Sequence, residues 1–313
     1  EILEPDEGRV YDPCCGSGGM FVQAEKFLTR HDQDPTKIAV YGQELNEQTW
    51  RMAKMNLAIH GIDSTGLGSR WGDTFARDIH PGIQADYVLA NPPFNIKDWA
   101  RSEEDSRWRY GVPPVRNANY AWIQHMIHHL APNGKIGLVL ANGSLSTQSS
   151  GEGEIRKNII EADLVEGIVA LPPNLFYSVT IPVTLWFISK NKRQKGKTLF
   201  IDARKMGTMV TRKHRDFSEE DIRKLADAFE AFQNGSLEEL RGFCALADLE
   251  TIKRQDYILT PGRYVGIEEQ EDDGEPFEEK MARLTSELSG LFEKSHKLET
   301  EIKERLGAIG YEI

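Results

Sequence analysis

Asn91-Pro92-Pro93-Phe94 places an amide side chain, two residues of restricted backbone and an aromatic ring in four consecutive positions. The prolines fix the chain and remove donors, so the Pro92 carbonyl and the Asn91 side-chain oxygen can both point at one external N–H group. A planar exocyclic amine offers two such hydrogens. Accepting both draws electron density onto the nitrogen and favours tetrahedral geometry, which makes the amine nucleophilic without prior deprotonation. Phe94 can stack on the ring that bears the amine, as enzymes that extrude a base from a duplex require. The structural alternative is a proline-rich turn after a strand.

Asp12-Pro13-Cys14-Cys15-Gly16-Ser17-Gly18-Gly19 forms a second candidate. Its glycines permit positive φ and close approach of a ligand, and the helix expected after it presents unpaired amides. The spacing differs from the dinucleotide G-x-G-x-x-G pattern and lacks the Gly-Lys-Ser/Thr ending of an ATP phosphate loop. An acid at the end of the first strand repels a phosphate chain and suits a cationic ligand. Glu44 follows the second strand, where an acid can accept from both hydroxyls of a ribose; a solvated charge at a helix start is the alternative. Asp73, in Trp71-Gly72-Asp73-Thr74-Phe75, is expected after a third strand, where it can accept from an adenine amino group. His125, His128 and His129 lie on a helical pattern without matching thiols or carboxylates and read as core and surface residues, so no metal site is expected.

These residues need elements to hold them. Short apolar runs at 10–12, 38–43, 87–90, 136–141 and 164–170 alternate with helical periodicity at 19–28, 47–60, 120–130 and 154–162, which predicts βαβ units and a mostly parallel sheet. In such sheets ligands bind beyond the carboxyl ends of the strands. Residues 182–188 and 198–201 flank a basic turn at 191–196 and are expected to pair as an edge hairpin. A helix over 219–232 and an irregular stretch to 266 follow. The loop 99–116, with Arg107, Trp108, Arg109 and Tyr110, is either mobile around the site or packed on the domain.

The 313 residues hold 38 Lys plus Arg against 49 Asp plus Glu, a formal charge of −11 that argues against coating nucleic acid by overall charge. Hydrophobic residues at 39% and aromatics at 9% support a sizeable core and exclude a disordered chain. Three cysteines supply neither a four-ligand zinc cage nor a secreted disulfide framework, so a reducing, cytoplasmic setting is expected. No stretch suits a membrane span. Residues 268–280 hold eight acids and one base, leaving 41 acids and 37 bases in the other 300 residues, while 190–215 hold ten bases and one acid. The acidity is thus concentrated in a linker, and the basic segment is a local patch that can follow a phosphate backbone or simply keep a hairpin soluble. Steps of four and three from Phe277 reach Met281, Leu284, Leu288, Leu291, Ser295, Leu298, Ile302 and Arg305. Seven of these nine positions are apolar, a seam that needs a partner or a fold back onto its own domain.

Residues 12–21 and Asn91-Pro92-Pro93-Phe94, in that order, resemble the cofactor loop and catalytic tetrapeptide of S-adenosylmethionine-dependent amino-methyltransferases. With Tyr41-Gly42-Gln43-Glu44, Gly134-Lys135-Ile136, Leu171-Pro172-Pro173-Asn174-Leu175-Phe176 and Pro261-Gly262-Arg263-Tyr264-Val265, nearly the whole chain is similar to the modification subunit of type I restriction-modification systems. The resemblance implies a Rossmann-like α/β methyltransferase with a C-terminal helical extension, acting on adenine N6 in double-stranded DNA. It implies a cofactor site of Asp12, Pro13, Cys14, Gly16, Ser17, Gly18, Gly19, Met20, Glu44, Asp73 and Asn91. Asp12 would lie near the ammonium, Glu44 on the ribose and Asp73 on the adenine ring. Asn91, Pro92, Pro93 and Phe94 would form the catalytic group. Residues 1–266 would be the catalytic domain, 267–276 an acidic linker, and 277–313 a helix docking on the specificity subunit. A restriction subunit and a second modification subunit would complete the assembly. The family carries an upstream helical domain and an aromatic-Thr-Pro motif, whereas this chain opens on Glu1 and reaches residues 9–11 at once, so a fragment is expected. Similar tetrapeptides act on protein glutamine, ribosomal RNA guanine or cytosine N4, and a non-catalytic assembly subunit is a third reading.

Overall fold

The computed structural model describes residues 1–176, 180–267 and 277–308. Its elements run β1 (Gly8–Asp12), α1 (Gly19–Arg30), β2 (Ile38–Gly42), α2 (Glu47–Ile59), β3 (Ala85–Ala90), α3 (Asn119–His129), β4 (Leu130–Ala141), α4 (Glu152–Glu161), β5 (Val165–Ala170), β6 (Val183–Ser189) and β7 (Lys197–Asp202). A short ribbon of β8 (Thr208–Met209) and β9 (Arg215–Asp216) follows, then α5 (Glu219–Asn234), β10 (Cys244–Asp248), α6 (Leu249–Arg254) and α7 (Phe277–Ala308).

Eight strands form one sheet in the order β10-β7-β5-β6-β4-β3-β1-β2. β1, β2, β3, β4, β5 and β7 run parallel, whereas β6 and β10 run against them. The chain leaves β1 for β2 on one side and then crosses to β3 on the other. This reversal makes the carboxyl end of β1 a topological switch point, the place where doubly wound sheets hold ligands.

Three expectations are corrected. The runs at 182–188 and 198–201 do not pair. β6 uses both its edges on β4 and β5, so β7 joins β5 in parallel register instead, with Asp202 opposite Ala170. Among the described residues no strand lies between β2 and Asp73; residues 72–79 are a loop whose backbone groups bond to the buried Gln43 side chain, so Asn91 follows the third strand. The stretch before Gly266 is not irregular, because β10 pairs with β7 and Asp248 caps α6 by accepting from the Thr251 amide at 2.8 Å.

Helices cover both faces. Phe21 and Val22 of α1 and Ala53 and Leu57 of α2 pack with Val10 and Val40. Tyr120, Ile123 and Ile127 of α3 and Ile155 and Ile159 of α4 pack with Val88 and Ile136 in a separate cluster. Burying each such aliphatic or aromatic side chain contributes roughly 1.5–3 kcal/mol. Local signals set the helix ends. Asn46 Oδ1 accepts from the Thr49 amide to start α2, and Ser218 and Asp221 form a reciprocal capping box on α5, which Gly235 ends at φ 73°.

The chain divides into two units, Glu1–Glu268 and Glu269–Ile313. In the second, α7 is a single helix of 32 residues with no buried residue. Phe277, Met281, Leu284, Leu288, Leu291, Leu298 and Ile302 are all exposed along it. Most of the expected linker, 268–276, and the end of the expected docking helix, 309–313, lie outside the described residues. Among the described residues no helix is long and apolar enough to cross a membrane.

Candidate active site

β3, β1 and β2 are neighbours, so Asn91, Asp12 and Glu44 emerge from adjacent strands at one edge of the sheet. Parallel strands lie about 4.8 Å apart, which brings these three positions within the span of one small ligand. Three loops at this edge are stitched together. Cys15 N donates to Gln43 O at 2.9 Å and Gly72 N to Glu44 O at 2.8 Å. Thr74 Oγ1 donates to Pro13 O at 2.6 Å, and Asn56 Nδ2 donates to Ser17 O at 2.9 Å.

Within the glycine loop, Gly16 and Gly18 have φ of 53° and 77°, a region that costs an L-residue roughly 1–2 kcal/mol. A Cβ on Gly16 would meet no atom within 4 Å, so the loop borders open space there. Asp12 is buried, and its Oδ1 accepts from the Cys14 amide at 3.0 Å and the Cys14 thiol at 3.4 Å. Burial pushes its carboxyl up to about 7, against the lowering effect of the two Cys14 hydrogen bonds and with a smaller push from Glu44. A buried acid whose pKa is raised in this way, with no cation beside it among the described residues, has the electrostatics of a site that takes a cationic ligand. Glu44 accepts from the Gly16 amide at 3.0 Å through Oε2 and from the Asn46 amide at 2.8 Å through Oε1. A carboxylate has about four lone-pair sites, so acceptor capacity remains. Asp73 Oδ1 caps its own turn, accepting from Phe75 N at 2.7 Å and Ala76 N at 3.2 Å.

Asn91 is exposed and Pro92 buried, and Phe94 packs at the border of two core clusters. Among the described residues the Asn91 side chain has no hydrogen-bond partner. The backbone just after it is held in place. Asn95, at φ 55°, receives a bond from Asn119 Nδ2 at 2.9 Å and donates its amide to Asn119 Oδ1 at 2.9 Å. Asn119 opens α3, so the tetrapeptide loop is clamped to the start of a buried helix.

The loop 99–116 packs on the domain. Trp99 and Trp108 are buried around Phe75, with ring centroids 4.9 and 6.3 Å away. Arg107, 8% exposed, donates to Thr74 O and Phe75 O at 2.9 Å, pairs with Asp105, and donates to His125 Nδ1 at 3.0 Å. A guanidinium only donates, so Nδ1 of His125 accepts and Nε2 carries the hydrogen that faces Tyr11 Oη at 2.8 Å. His129 bonds to His125 O at 2.9 Å and to Asp78 Oδ2 at 2.7 Å; against the cost of burial, the His129 ring and the His80 amide hold Asp78 well below the usual carboxylate range. Asp78, His125 and His129 bring candidate metal-ligand atoms within 4.8 Å of one another. Every ring nitrogen of that trio already has a partner, one of them cationic, which marks a structural network beneath the Asp73 loop.

Residues 1–273 match the family described as N-6 DNA Methylase. The chain belongs to this family. It is 54% identical over 315 residues to the type I restriction enzyme HindI methylase subunit of Haemophilus influenzae, covering 100% of this chain and 71% of that protein. It is 45% identical to the MjaIX methylase subunit of Methanocaldococcus jannaschii, over 99% of this chain and 57% of that one. The crystal structure of the type I restriction-modification methyltransferase subunit from Streptococcus thermophilus superposes with a TM-score of 0.74 at 30% identity, over 84% of this chain and 55% of that one. The chain thus spans between about half and seven tenths of the length of these proteins.

Asp12, Glu44 and Asn91 lie at strand ends as their local sequence predicts, whereas the residues that support these loops carry no local mark. Gln43, Thr74, Asn95, Asn119 and Arg107 act through contacts with residues 24 to 61 positions away, or bridge two loops at once, and no local pattern marks such pairs.

Proposed function

We propose that this chain transfers a methyl group from S-adenosylmethionine to adenine N6 in double-stranded DNA, as the modification subunit of a type I restriction-modification assembly. The reading rests on one observation: an unengaged Asn91 amide stands one strand away from a buried, cation-seeking Asp12, at the switch point of the sheet. The loop fits the cofactor chemically, because Asp12 would offset an ammonium, Glu44 retains capacity for ribose hydroxyls, and Gly16 leaves open space. Pro13, Cys14, Ser17, Gly18, Gly19 and Met20 would line the same loop, with Asp73 Oδ2 left for the adenine ring. Bound S-adenosylmethionine supplies an electrophilic methyl group.

The chain's own work is to present a nucleophile. Asn91 Oδ1 and the Pro92 carbonyl would accept both hydrogens of the target amine and raise the electron density on its nitrogen. Pro93 keeps the turn rigid, the clamp between Asn95 and Asn119 fixes its position, and Phe94 would stack on the extruded base. The exposed seam of α7 would dock on the specificity subunit, which reads the DNA sequence, with a restriction subunit and a second modification subunit in the full complex. The names of its relatives as methylase subunits of type I restriction enzymes support the DNA substrate and the partners.

Asn91→Ala in the assembled complex should lower methyl transfer by at least about 100-fold with cofactor affinity unchanged, by analogy with loss of one pre-organised hydrogen bond at a reacting centre. Transfer at the normal rate, or a methylated nucleoside other than N6-methyladenine after digestion of the DNA, overturns the reading.

A further inference from the structure

The basic segment at 190–215 is cut in two by the sheet. β6 ends and β7 begins at the amino edge of the parallel strands, so the bases of 190–197 lie on the far side from Asn91. Several are tied to their own domain: the Lys190 ammonium donates to Leu130 O, buried Lys192 pairs with Asp163 at 2.5 Å, and Arg193 reaches Asn234 Oδ1 at 3.5 Å. β7 then crosses to the carboxyl edge, and the β8–β9 hairpin rises there. Ala203 N donates to Ala170 O at 2.9 Å, and Arg215 N donates to Asn174 O at 2.8 Å in the loop that follows β5. Met206 and Phe217, at the two feet of the hairpin, pack against the same apolar cluster as Phe94 and Phe176.

Residues 203–215 contain five Lys plus Arg and no acid, and the one acid of the ribbon, Asp216, lies at its base. Arg215 is a strut, donating through Nη1 to Met206 O and Gly207 O at 2.9 Å. The tip differs. A turn closed by Val210 N and Thr211 N on His214 O presents Arg212 and Lys213, both exposed, and among the described residues neither side chain has a hydrogen-bond or ion-pair partner. Met209 and Val210 beside them are also exposed.

We infer that the β8–β9 hairpin is a duplex-gripping element, with Arg212 and Lys213 contacting backbone phosphates of the DNA whose base enters the Asn91 site. The inference rests on the function proposed above and adds to it a place where the catalytic subunit itself holds DNA. Unpaired cations at the site edge of an otherwise near-neutral body fit a polyanion, and phosphate contacts release counterions whatever the sequence.

The test uses the full-length protein in its assembled complex and a fluorescent mixed-sequence duplex of about 30 base pairs, because phosphate contacts need no recognition site. Two phosphate contacts contribute about 1.8 to the slope of log affinity against log salt. Arg212→Ala/Lys213→Ala should therefore reduce that slope by about 1.8, and its affinity deficit should narrow about tenfold between 50 and 200 mM salt. Lys195→Ala/Lys197→Ala, equally exposed at the opposite edge, should bind as the unsubstituted protein does. Equal affinity and slope for the tip variant, or an equal loss for the far-edge variant, overturns the hairpin assignment. Methylation of adenine by the same preparation is scored in parallel. Methylation with no tip effect removes the hairpin and leaves the function, whereas a tip effect with no methylation removes the function and leaves the hairpin.

Discussion

Asp12→Asn should make the unliganded protein more stable and a poorer cofactor binder at the same time. The carboxyl sits at about 7 in the fold, against an ordinary 3.8, because burial penalises its charge. A raised folded value means that the protonated form is favoured, so this group's contribution to stability is full below about pH 4 and is lost as pH rises to about 7. The difference of about three units corresponds to up to roughly 4 kcal/mol above pH 7. Asparagine keeps the oxygen that accepts from the Cys14 amide and removes the charge. The variant should thus gain several degrees in Tm at pH 8 and nothing at pH 4. Cofactor affinity should move the other way, since an ammonium needs the carboxylate. The ionised fraction of Asp12 rises from about 0.1 at pH 6 to about 0.9 at pH 8, so the ratio of variant to normal Kd should grow roughly tenfold over that interval. Taking the ratio cancels the titration of the ligand's own amino group. Calorimetric titration of S-adenosylmethionine into full-length protein at both pH values measures it. A ratio that stays flat from pH 6 to pH 8 refutes the placing of Asp12 beside the ammonium.

Arg107→Met removes one side chain from four partners and leaves Asp105 without its cation, which should cost about 3–5 kcal/mol in thermal or urea unfolding. Arg107→Lys should rescue little, because a single ammonium cannot reproduce the planar fork; stability equal to the unsubstituted protein in either variant would contradict the network. Leu284→Asp/Leu288→Asp should abolish co-purification with the specificity subunit while the unfolding transition of residues 1–268 stays unchanged, since both side chains are exposed on α7. Retained association would remove the seam as the docking face.

Much of the candidate site's edge was legible in the amino-acid sequence because it is written in consecutive residues. Asp12 to Gly19 and Asn91 to Phe94 are runs whose backbone freedom, or lack of it, is a property of the residue types, and the alternation of apolar runs with helical periodicity places them at strand ends. What the tertiary structure alone decided is pairing between distant segments. Residues 182–188 and 198–201 have the local character of a hairpin, yet β5, buried along its whole length, lies between them because both edges of β6 were already taken. The same crossing divided a single basic stretch between opposite edges of the sheet. Asp12 shows the division within one residue. Its carboxyl and its place after a strand are local facts, but the near-neutral pKa comes from the protein packed around it, since desolvation depends on which atoms replace water and no window of sequence contains them.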